Sequence, residues 1–282
     1  MTRGATVFGL GADEFVRDDR ILPLTRWVAR ILVPVLTVAF FILFGLPDRT
    51  TELFAWTINP RMTPILMGAG YGTGAYFFYR VATIDDWHAV ALVFPGIVAF
   101  TWFMAAATGL HWENFNHDHV TFAIWVFLYA VAPLLVPAIW YLNRRTDPRE
   151  LTGTERHLPR VVQVVSALSG AAIIVTAFVL FVVPDPLVTH WPWDASPLTA
   201  RIMLGWFVLL GIVNLGVWFD PRWSAARIPV QTQVIGLGLL LLGAIRVWSD
   251  FDASNPLLWT FFAGLTLYLV ALLALYYVME AR

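Results

Sequence analysis

The stretch VVSALSGAAIIVTAFVLFVV, residues 164–183, decides the class of protein to which this chain belongs. It supplies the roughly 20 consecutive apolar residues that a helix needs to cross the hydrocarbon core of a bilayer. A helix in a soluble domain would carry a polar face, and this stretch has none. Hydrophobic residues make up 59% of the 282-residue chain and charged residues 13%, against roughly 25% charged in soluble domains. The sequence therefore predicts an all-α integral membrane protein.

Segments of this kind recur along the chain and predict eight transmembrane helices. The predicted spans are residues 29–46, 62–79, 89–108, 120–142, 161–183, 201–219, 229–247 and 257–279. With the N-terminus inside, fourteen arginines fall on inner segments and four on outer ones. Basic residues are enriched in cytoplasmic loops. We therefore predict a multi-pass protein of the cell (plasma) membrane with both termini in the cytoplasm.

The two halves of the chain resemble each other at a nearly constant spacing. FILFGLPD (41–48) aligns with FVLFVVPD (178–185) at an offset of 137, and WENFN (112–116) aligns with WSDFD (248–252) at an offset of 136. We therefore predict two tandem four-helix repeats. Because each repeat has an even number of spans, the repeats should be parallel and related by a pseudo-two-fold axis along the membrane normal.

This organisation divides the chain into four parts. The predicted parts are a cytoplasmic N-terminal arm at 1–28, a first four-helix repeat at 29–142, a cytoplasmic arginine-rich linker at 143–160, and a second four-helix repeat at 161–282.

Missing residue types exclude several kinds of chemistry. The chain has no cysteine, which excludes disulfides and iron–sulfur clusters, and all 18 basic residues are arginine, which excludes a lysine Schiff base to retinal. No Asp, Glu or Lys falls in the middle of a predicted span. Ion-coupled transporters and pumps usually carry such residues there, so their absence lowers the expectation of that class. No nucleic-acid partner is expected.

Glycines in the second predicted span have two interpretations. Gly68 with Gly72, and Gly70 with Gly74, form overlapping GxxxG pairs in GAGYGTGAY (68–76). Such pairs let a neighbouring helix approach closely. Alternatively, the bare backbone at Gly70 and Gly74 receives a flat lipid or cofactor.

Four residues near the outer membrane surface are further candidates for ligand binding. Trp191 and Trp193 are typical of an aromatic belt at the membrane interface, and Arg201 and Arg246 could snorkel towards water. The alternative is that the tryptophans line the mouth of a site and the arginines hold an acid or an anionic headgroup.

The outer loop HWENFNHDH (111–119) is a candidate metal site. Neutral imidazoles with carboxylates are ligands that zinc accepts, and the candidate ligands are His111, Glu113, His117, Asp118 and His119. Their spacing matches no strong motif, so a solvated loop remains the other interpretation. A haem ligand is a third, although no pair of histidines lies within the spans to hold one.

Two aromatic residues of the same loop recur in the second half. Trp112 and Phe115 correspond to Trp248 and Phe251, whereas the three histidines have no counterpart. We therefore expect the two aromatic rings to be buried and important for the fold, and the histidines to be dispensable for it.

The sequence leaves three functions open. The first is a scaffold or accessory subunit, or a binder or carrier of a hydrophobic, lipid- or quinone-like ligand. The second is a membrane enzyme, or a metal or redox subunit, that uses the outer histidines and acids. The third is a channel or transporter at the repeat interface. The lipid bilayer is the expected partner, and other membrane subunits or a second copy of the chain stay open.

Overall fold

A computed structural model of the protein describes residues 18–147 and 155–281. These residues contain eight helices of 17 to 27 residues and no β-strand. The helices are α1 (Pro23–Phe40), α2 (Met62–Thr83), α3 (Phe94–Leu110), α4 (Val120–Thr146), α5 (Arg160–Val182), α6 (Pro197–Phe219), α7 (Trp223–Arg246) and α8 (Pro256–Glu280).

Each predicted span falls on one of these helices, and seven of the helices are long and apolar enough to cross a membrane. The exception is α2, whose sequence contains four glycines and three tyrosines. It is also one of the most deeply buried helices, with eleven buried residues. A helix enclosed by other helices does not need lipid-facing apolar side chains on every face, which explains its lower hydrophobicity.

The helix ends differ by a few residues from the predicted ones. The first helix begins at Pro23, where a proline has no N–H to lose and its backbone angle suits the first helical turn. The fourth helix, α4, continues to Thr146 and so extends into the predicted linker. The fifth helix, α5, begins at Arg160. The remainder of that linker at 148–154, the N-terminal arm at 1–17 and residue 282 lie outside the described residues.

The helices pack in a crosswise arrangement. Within each half, the first helix packs on the second and the third on the fourth, so that α1 contacts α2, α3 contacts α4, α5 contacts α6 and α7 contacts α8. Between the halves, α3 packs on α6 and α7 packs on α2. The second and third helices of both halves therefore form the centre of the protein.

The contact between α2 and α7 is close and antiparallel. A methyl group at Gly236 would lie 2.9 Å from Thr73 Oγ1, and one at Gly243 would overlap Ile65. Residue numbers rise along α2 as they fall along α7, so the two helices run side by side in opposite directions.

Both halves also begin with the same backbone pairing. Arg20 bridges to Asp86, and His157 bridges to Arg222, each in the antiparallel sense. The hydrogen bonds beside these bridges measure 2.7–2.8 Å. The bridged residues of the two halves are 137 and 136 positions apart, which are the offsets found in the sequence.

Candidate functional site

A cavity of about 270 Å³ lies between the central helices. It is larger than a cavity of about 150 Å³ that is known to admit benzene. Its wall is mostly apolar and rich in aromatic rings, which are those of Tyr71, Phe77, Phe78, Phe100, Tyr129, Trp206, Phe207, Phe261 and Tyr268. These rings come from α2, α3, α4, α6 and α8, so both halves of the chain build the cavity.

Glycines leave parts of the cavity wall without side chains. Gly70, Gly74 and Gly236 all line the cavity. A methyl group at Gly70 would lie 2.8 Å from the six-membered ring of Trp206, whereas one at Gly74 would lie 3.4 Å from a methyl group of Leu36. The indole of Trp206 therefore rests on bare backbone at Gly70, while Gly74 has room for a small side chain.

The other two glycines of the motif in α2 have a different role. A methyl group would lie 2.6 Å from the backbone of Phe44 at Gly68 and 2.8 Å from the ring of Phe40 at Gly72. The two interpretations of the GxxxG pairs thus apply to different residues. Gly68 and Gly72 face the end of α1 closely, and the pair Gly70 and Gly74 faces the cavity.

Two groups of polar side chains border this apolar cavity. In the first half, the hydroxyl groups of Tyr71 and Tyr129 lie 3.1 Å apart and share a hydrogen bond. In the second half, Asn214 Nδ2 donates to the Tyr268 hydroxyl at 3.2 Å, and Gln233 Nε2 donates to Asn214 Oδ1 at 3.3 Å. The Tyr268 hydroxyl in turn donates to Gln233 Oε1, which closes a ring of three hydrogen bonds.

The indole ring of Trp206 forms part of the floor of the cavity. Its centroid lies 4.4 Å from that of Phe100 and 5.3 Å from that of Tyr71, the second in an edge-on arrangement. Its Nε1–H is buried and has no acceptor among the described residues. These contacts hold the ring against α2 and α3 at the junction of the two halves.

No protein-family model, curated protein or solved structure matches this chain. The geometry of the cavity and of its surroundings is therefore the basis for a functional assignment.

The tryptophans predicted to bind a ligand lie one layer outside the cavity. Trp191 packs edge-on against Phe207 and Phe261, with centroid distances of 5.9 and 5.2 Å. Trp193 packs on Trp191 at 5.1 Å, and its Nε1–H donates to Thr63 Oγ1 at 3.0 Å. Both tryptophans thus support rings of the cavity wall from behind.

Arg246 binds the end of another helix. Its guanidinium donates to the carbonyl oxygens of Phe44 and Gly45 at 2.5 and 2.8 Å. These carbonyls belong to the π-helical turn Phe41–Gly45 that continues α1, and a cation is favourable at the negative end of a helix. Arg246 therefore joins the end of α7 in the second half to the end of the first helix.

Arg201 makes the corresponding contact at the end of α5. Its Nε donates to the carbonyl oxygen of Phe181 at 2.9 Å, and its Nη1 donates to His111 Nε2 at 2.7 Å. Burial, and after it the charge of Arg201, lower the pKa of His111 from its ordinary value of 6.5. The imidazole is therefore neutral when it accepts this hydrogen bond. Neither Arg201 nor Arg246 lines the cavity.

The remaining histidines of the outer loop each have their own partner. His117 Nε2 donates to the carbonyl oxygen of Trp112 at 2.9 Å. His119 caps α4, because its Nδ1 accepts from the Thr121 backbone N–H at 3.2 Å while its Nε2 donates to the Glu52 carbonyl at 3.0 Å.

The structure does not bring the predicted metal ligands together. Glu113 and Asp118 are exposed, and His111 lies against Arg201. Among the described residues, no group of three or more His, Asp or Glu side chains could hold a metal ion.

The two aromatic residues of this loop differ in burial. Phe115 is 5% exposed and packs edge-on against Trp56, whereas Trp112 is 43% exposed. The prediction of a buried ring is confirmed for Phe115 and wrong for Trp112. Trp112 packs edge-on against Phe122 and at a tilt against His117, each with a centroid distance of 5.2 Å.

A second depression lies on the surface between the halves. Arg61 forms an ion pair with Asp250 and lies 3.8 Å from Asp48, and Asp194 also lines the depression. The hydrogen bond from Arg61 and its charge lower the pKa of Asp250. The arrangement joins the two halves by an ion pair that is partly exposed to solvent.

The sequence did not single out most of the polar cavity residues. Gln233, Tyr268 and Trp206 were not among the candidate residues. A usable signal was available for Gln233, because an amide in the middle of a span is rare and faces the inside of a helix bundle.

Proposed function

We propose that this polytopic membrane protein binds a hydrophobic small molecule in the cavity between its two halves. The cavity itself is the observation that carries the proposal. Protein interiors contain few voids larger than a water molecule. The cavity is partly open, so a hydrophobic molecule can reach it from the bilayer. Atoms that line an unfilled space lack packing partners on one side, which favours an occupant.

The shape and chemistry of the wall favour a flat apolar occupant. Aromatic side chains surround the cavity, and the space beside Gly74, where an added methyl group would lie 3.4 Å from Leu36, admits a ring or a chain close to α2. Binding sites for small molecules are usually apolar and contain a few polar groups that set orientation. The tyrosine pair and the amide cluster fit that role.

The proposal includes the arrangement of the chain in the membrane. We propose that α2 is an eighth span, because it runs beside α7 over much of its length. The matching bridges at offsets of 137 and 136, together with the crosswise packing, support a tandem duplication with parallel repeats. The arginine distribution supports a plasma-membrane orientation with both termini in the cytoplasm.

Cysteine labelling tests this orientation, because the chain has no cysteine of its own. In Asn116→Cys and His157→Cys, both at exposed positions, an impermeant thiol reagent added to intact cells should label only the first. After permeabilisation it should label both. Labelling of both positions in intact cells would contradict the eight-span arrangement.

Filling the cavity tests the binding function. Gly74→Leu adds a side chain that enters the cavity, whereas Gly238→Leu adds the same side chain at a position with no atom within 4 Å. Purified protein in phosphatidylcholine nanodiscs should bind tritiated naphthalene saturably above the level of empty nanodiscs. Gly74→Leu should abolish the saturable component, and Gly238→Leu should keep it. Absence of saturable binding to the wild-type chain, or equal loss in both variants, would contradict the proposal.

The other functions considered from the sequence stay predictions. A metal or redox role for the outer loop receives no support from the positions of its histidines, which have separate partners. A scaffold, a channel or transporter at the junction, and assembly with other subunits or a second copy are not favoured by a specific contact.

A further inference from the structure

The polar atoms that border the cavity come from different halves of the chain. Tyr71 and Tyr129 belong to the first half, and Gln233 and Tyr268 belong to the second, where Asn214 joins them from behind. Each group satisfies part of its hydrogen-bonding capacity internally. The hydrogen-bond donors that each group leaves unpaired indicate which polar atoms the occupant needs.

The tyrosine pair leaves one hydrogen unused. A tyrosine hydroxyl carries one hydrogen and can both donate and accept. Two hydroxyls that share a single hydrogen bond of 3.1 Å use one of their two hydrogens. The hydroxyl that accepts the bond therefore keeps its own hydrogen free to donate.

The amide cluster also leaves hydrogens unused. Asn214 and Gln233 carry two N–H hydrogens each, and Tyr268 carries one O–H. The closed ring uses one hydrogen from each of the three side chains. One N–H of each amide then has no acceptor among the described residues. Gln233 lines the cavity, which places its amide group beside an occupant.

A buried N–H or O–H without an acceptor costs more free energy than a buried lone pair without a donor. Buried N–H groups without an acceptor are rare in proteins, whereas a carbonyl that uses only one of its two lone pairs is less unusual. In an apolar cavity within a bilayer, water is not at hand to accept these hydrogens. Each polar group therefore favours an acceptor oxygen on the occupant.

The two groups lie at different depths in the membrane. Gly236 on α7 faces Thr73 on the antiparallel α2, so Gln233 is level with residue 76 of α2. Tyr71 lies five residues away along α2, which at a rise of 1.5 Å per residue is about 7 Å. One small acceptor group cannot serve both positions, so the acceptors belong at two separate points of the molecule.

Neither polar group has a counterpart in the other half. At the offsets of 137 and 136, Asn214, Gln233 and Tyr268 correspond to Phe77, Ile97 and Ala132, and Tyr71 and Tyr129 correspond to Val208 and Leu265. The same fold is built in each half without the other half's polar group. A role limited to holding helices together does not account for this difference.

We propose that the occupant is a flat molecule with an acceptor oxygen at each of two opposite positions, the chemistry of a quinone. One carbonyl accepts from the Tyr71–Tyr129 pair and the other from Gln233 Nε2, while the ring lies beside Trp206. This inference rests on the proposed function, since it specifies the ligand of the same cavity.

Competition binding separates the ligand class from the binding function. The probe is tritiated naphthalene on the full chain in nanodiscs, and the competitors are 1,4-naphthoquinone and 1,4-dimethylnaphthalene, which have similar shapes. Naphthoquinone should compete at roughly one-tenth of the hydrocarbon concentration or less, since each new hydrogen bond to an unpaired buried donor is worth roughly a factor of ten.

Variants locate the two contacts. Tyr71→Phe combined with Tyr129→Phe removes the hydroxyl pair without leaving an unpaired hydroxyl, and Gln233→Leu removes the amide donor. Each should reduce the preference for naphthoquinone over 1,4-dimethylnaphthalene several-fold, with both competitors measured against the naphthalene that the same variant binds. Tyr79→Phe, at a tyrosine that is 54% exposed, is the control and should keep the full preference.

The possible results are distinct. Equal competition by the quinone and the hydrocarbon would overturn the quinone proposal and leave the binding function intact. Failure of naphthalene itself to bind would overturn both. A preference for naphthoquinone that persists in the tyrosine and glutamine variants would show that the carbonyls bind elsewhere and would also overturn the proposal.

Discussion

Gly170 on α5 marks the closest approach between two helices of the second half. A methyl group at this position would lie 2.6 Å from the carbonyl oxygen of Gly211 and 2.6 Å from the backbone nitrogen of Leu215, both on α6. Favourable contacts between non-bonded atoms begin at about 3.5 Å. In Gly170→Ala, α5 therefore has to move away from α6 by roughly 0.9 Å, because backbone atoms cannot rotate aside as a side chain can.

The change in the free energy of unfolding caused by Gly170→Ala follows from two opposing effects. Overpacking of a tight contact destabilises proteins by about 1–3 kcal/mol, and replacing glycine by alanine within a helix stabilises it by about 1 kcal/mol. We expect Gly170→Ala to lower the free energy of unfolding by up to about 2 kcal/mol. In Gly238→Ala the new methyl group meets no atom within 4 Å, so only the helix effect remains, and stability should be unchanged or higher by up to about 1 kcal/mol.

Denaturant titration of the purified protein in detergent, followed by circular dichroism, measures this difference. The two variants carry the same substitution in helices that both cross the membrane, so they differ chiefly in the contact at the new methyl group. A Gly170→Ala protein as stable as Gly238→Ala would refute the close approach of α5 and α6.

Three further predictions concern contacts at helix ends and in the loop at 111–119. Burial and the charge of Arg201 lower the pKa of His111 in the folded chain. As the pH falls, His111 is therefore protonated in the unfolded chain at a higher pH than in the folded chain. The contribution of His111 to the melting temperature should therefore fall as the pH drops below about 6.5, so the difference in melting temperature between wild type and His111→Gln should change over this range; identical profiles would contradict the contact. Arg246→Ala removes the cation from the end of α1 and should lower the free energy of unfolding by about 0.5–1 kcal/mol, with Arg246→Lys closer to wild type. Phe115→Ala should lower it by about 3–5 kcal/mol, as for a buried ring, and Trp112→Ala by clearly less; the reverse order in a denaturant titration would contradict the burial described.

The positions of the helices could be predicted from the sequence, because each apolar run has about the length that a bilayer requires. The stretch at 164–183 is such a case, and α5 covers nearly all of it. The helix α2 has a weaker apolar signal than the other seven, since Gly70, Gly74 and their neighbours dilute its apolar character. The glycines indicated a close approach but not which helix or cavity would face them.

The polar groups of the cavity could not be predicted, because they depend on contacts between distant segments. Asn214, Gln233 and Tyr268 lie on three helices, and no spacing in the sequence shows that they meet. Arg201 and Arg246 were expected to reach for water or for an anion. Their donors instead bind carbonyl groups at helix ends, an acceptor that exists only once the bundle has formed.

The crosswise packing has a consequence for the order of biosynthesis. The second helix packs on α1, which precedes it, and on α7, which begins 140 residues after Thr83 at Trp223. At translation rates of about 5–20 residues per second, this neighbour follows roughly 7–28 s later. During that interval the least hydrophobic of the eight helices has one side uncovered. Until residues 223–246 have left the ribosome, chaperones or lipids would have to cover this side. The yield of folded protein would therefore depend on how well they do so.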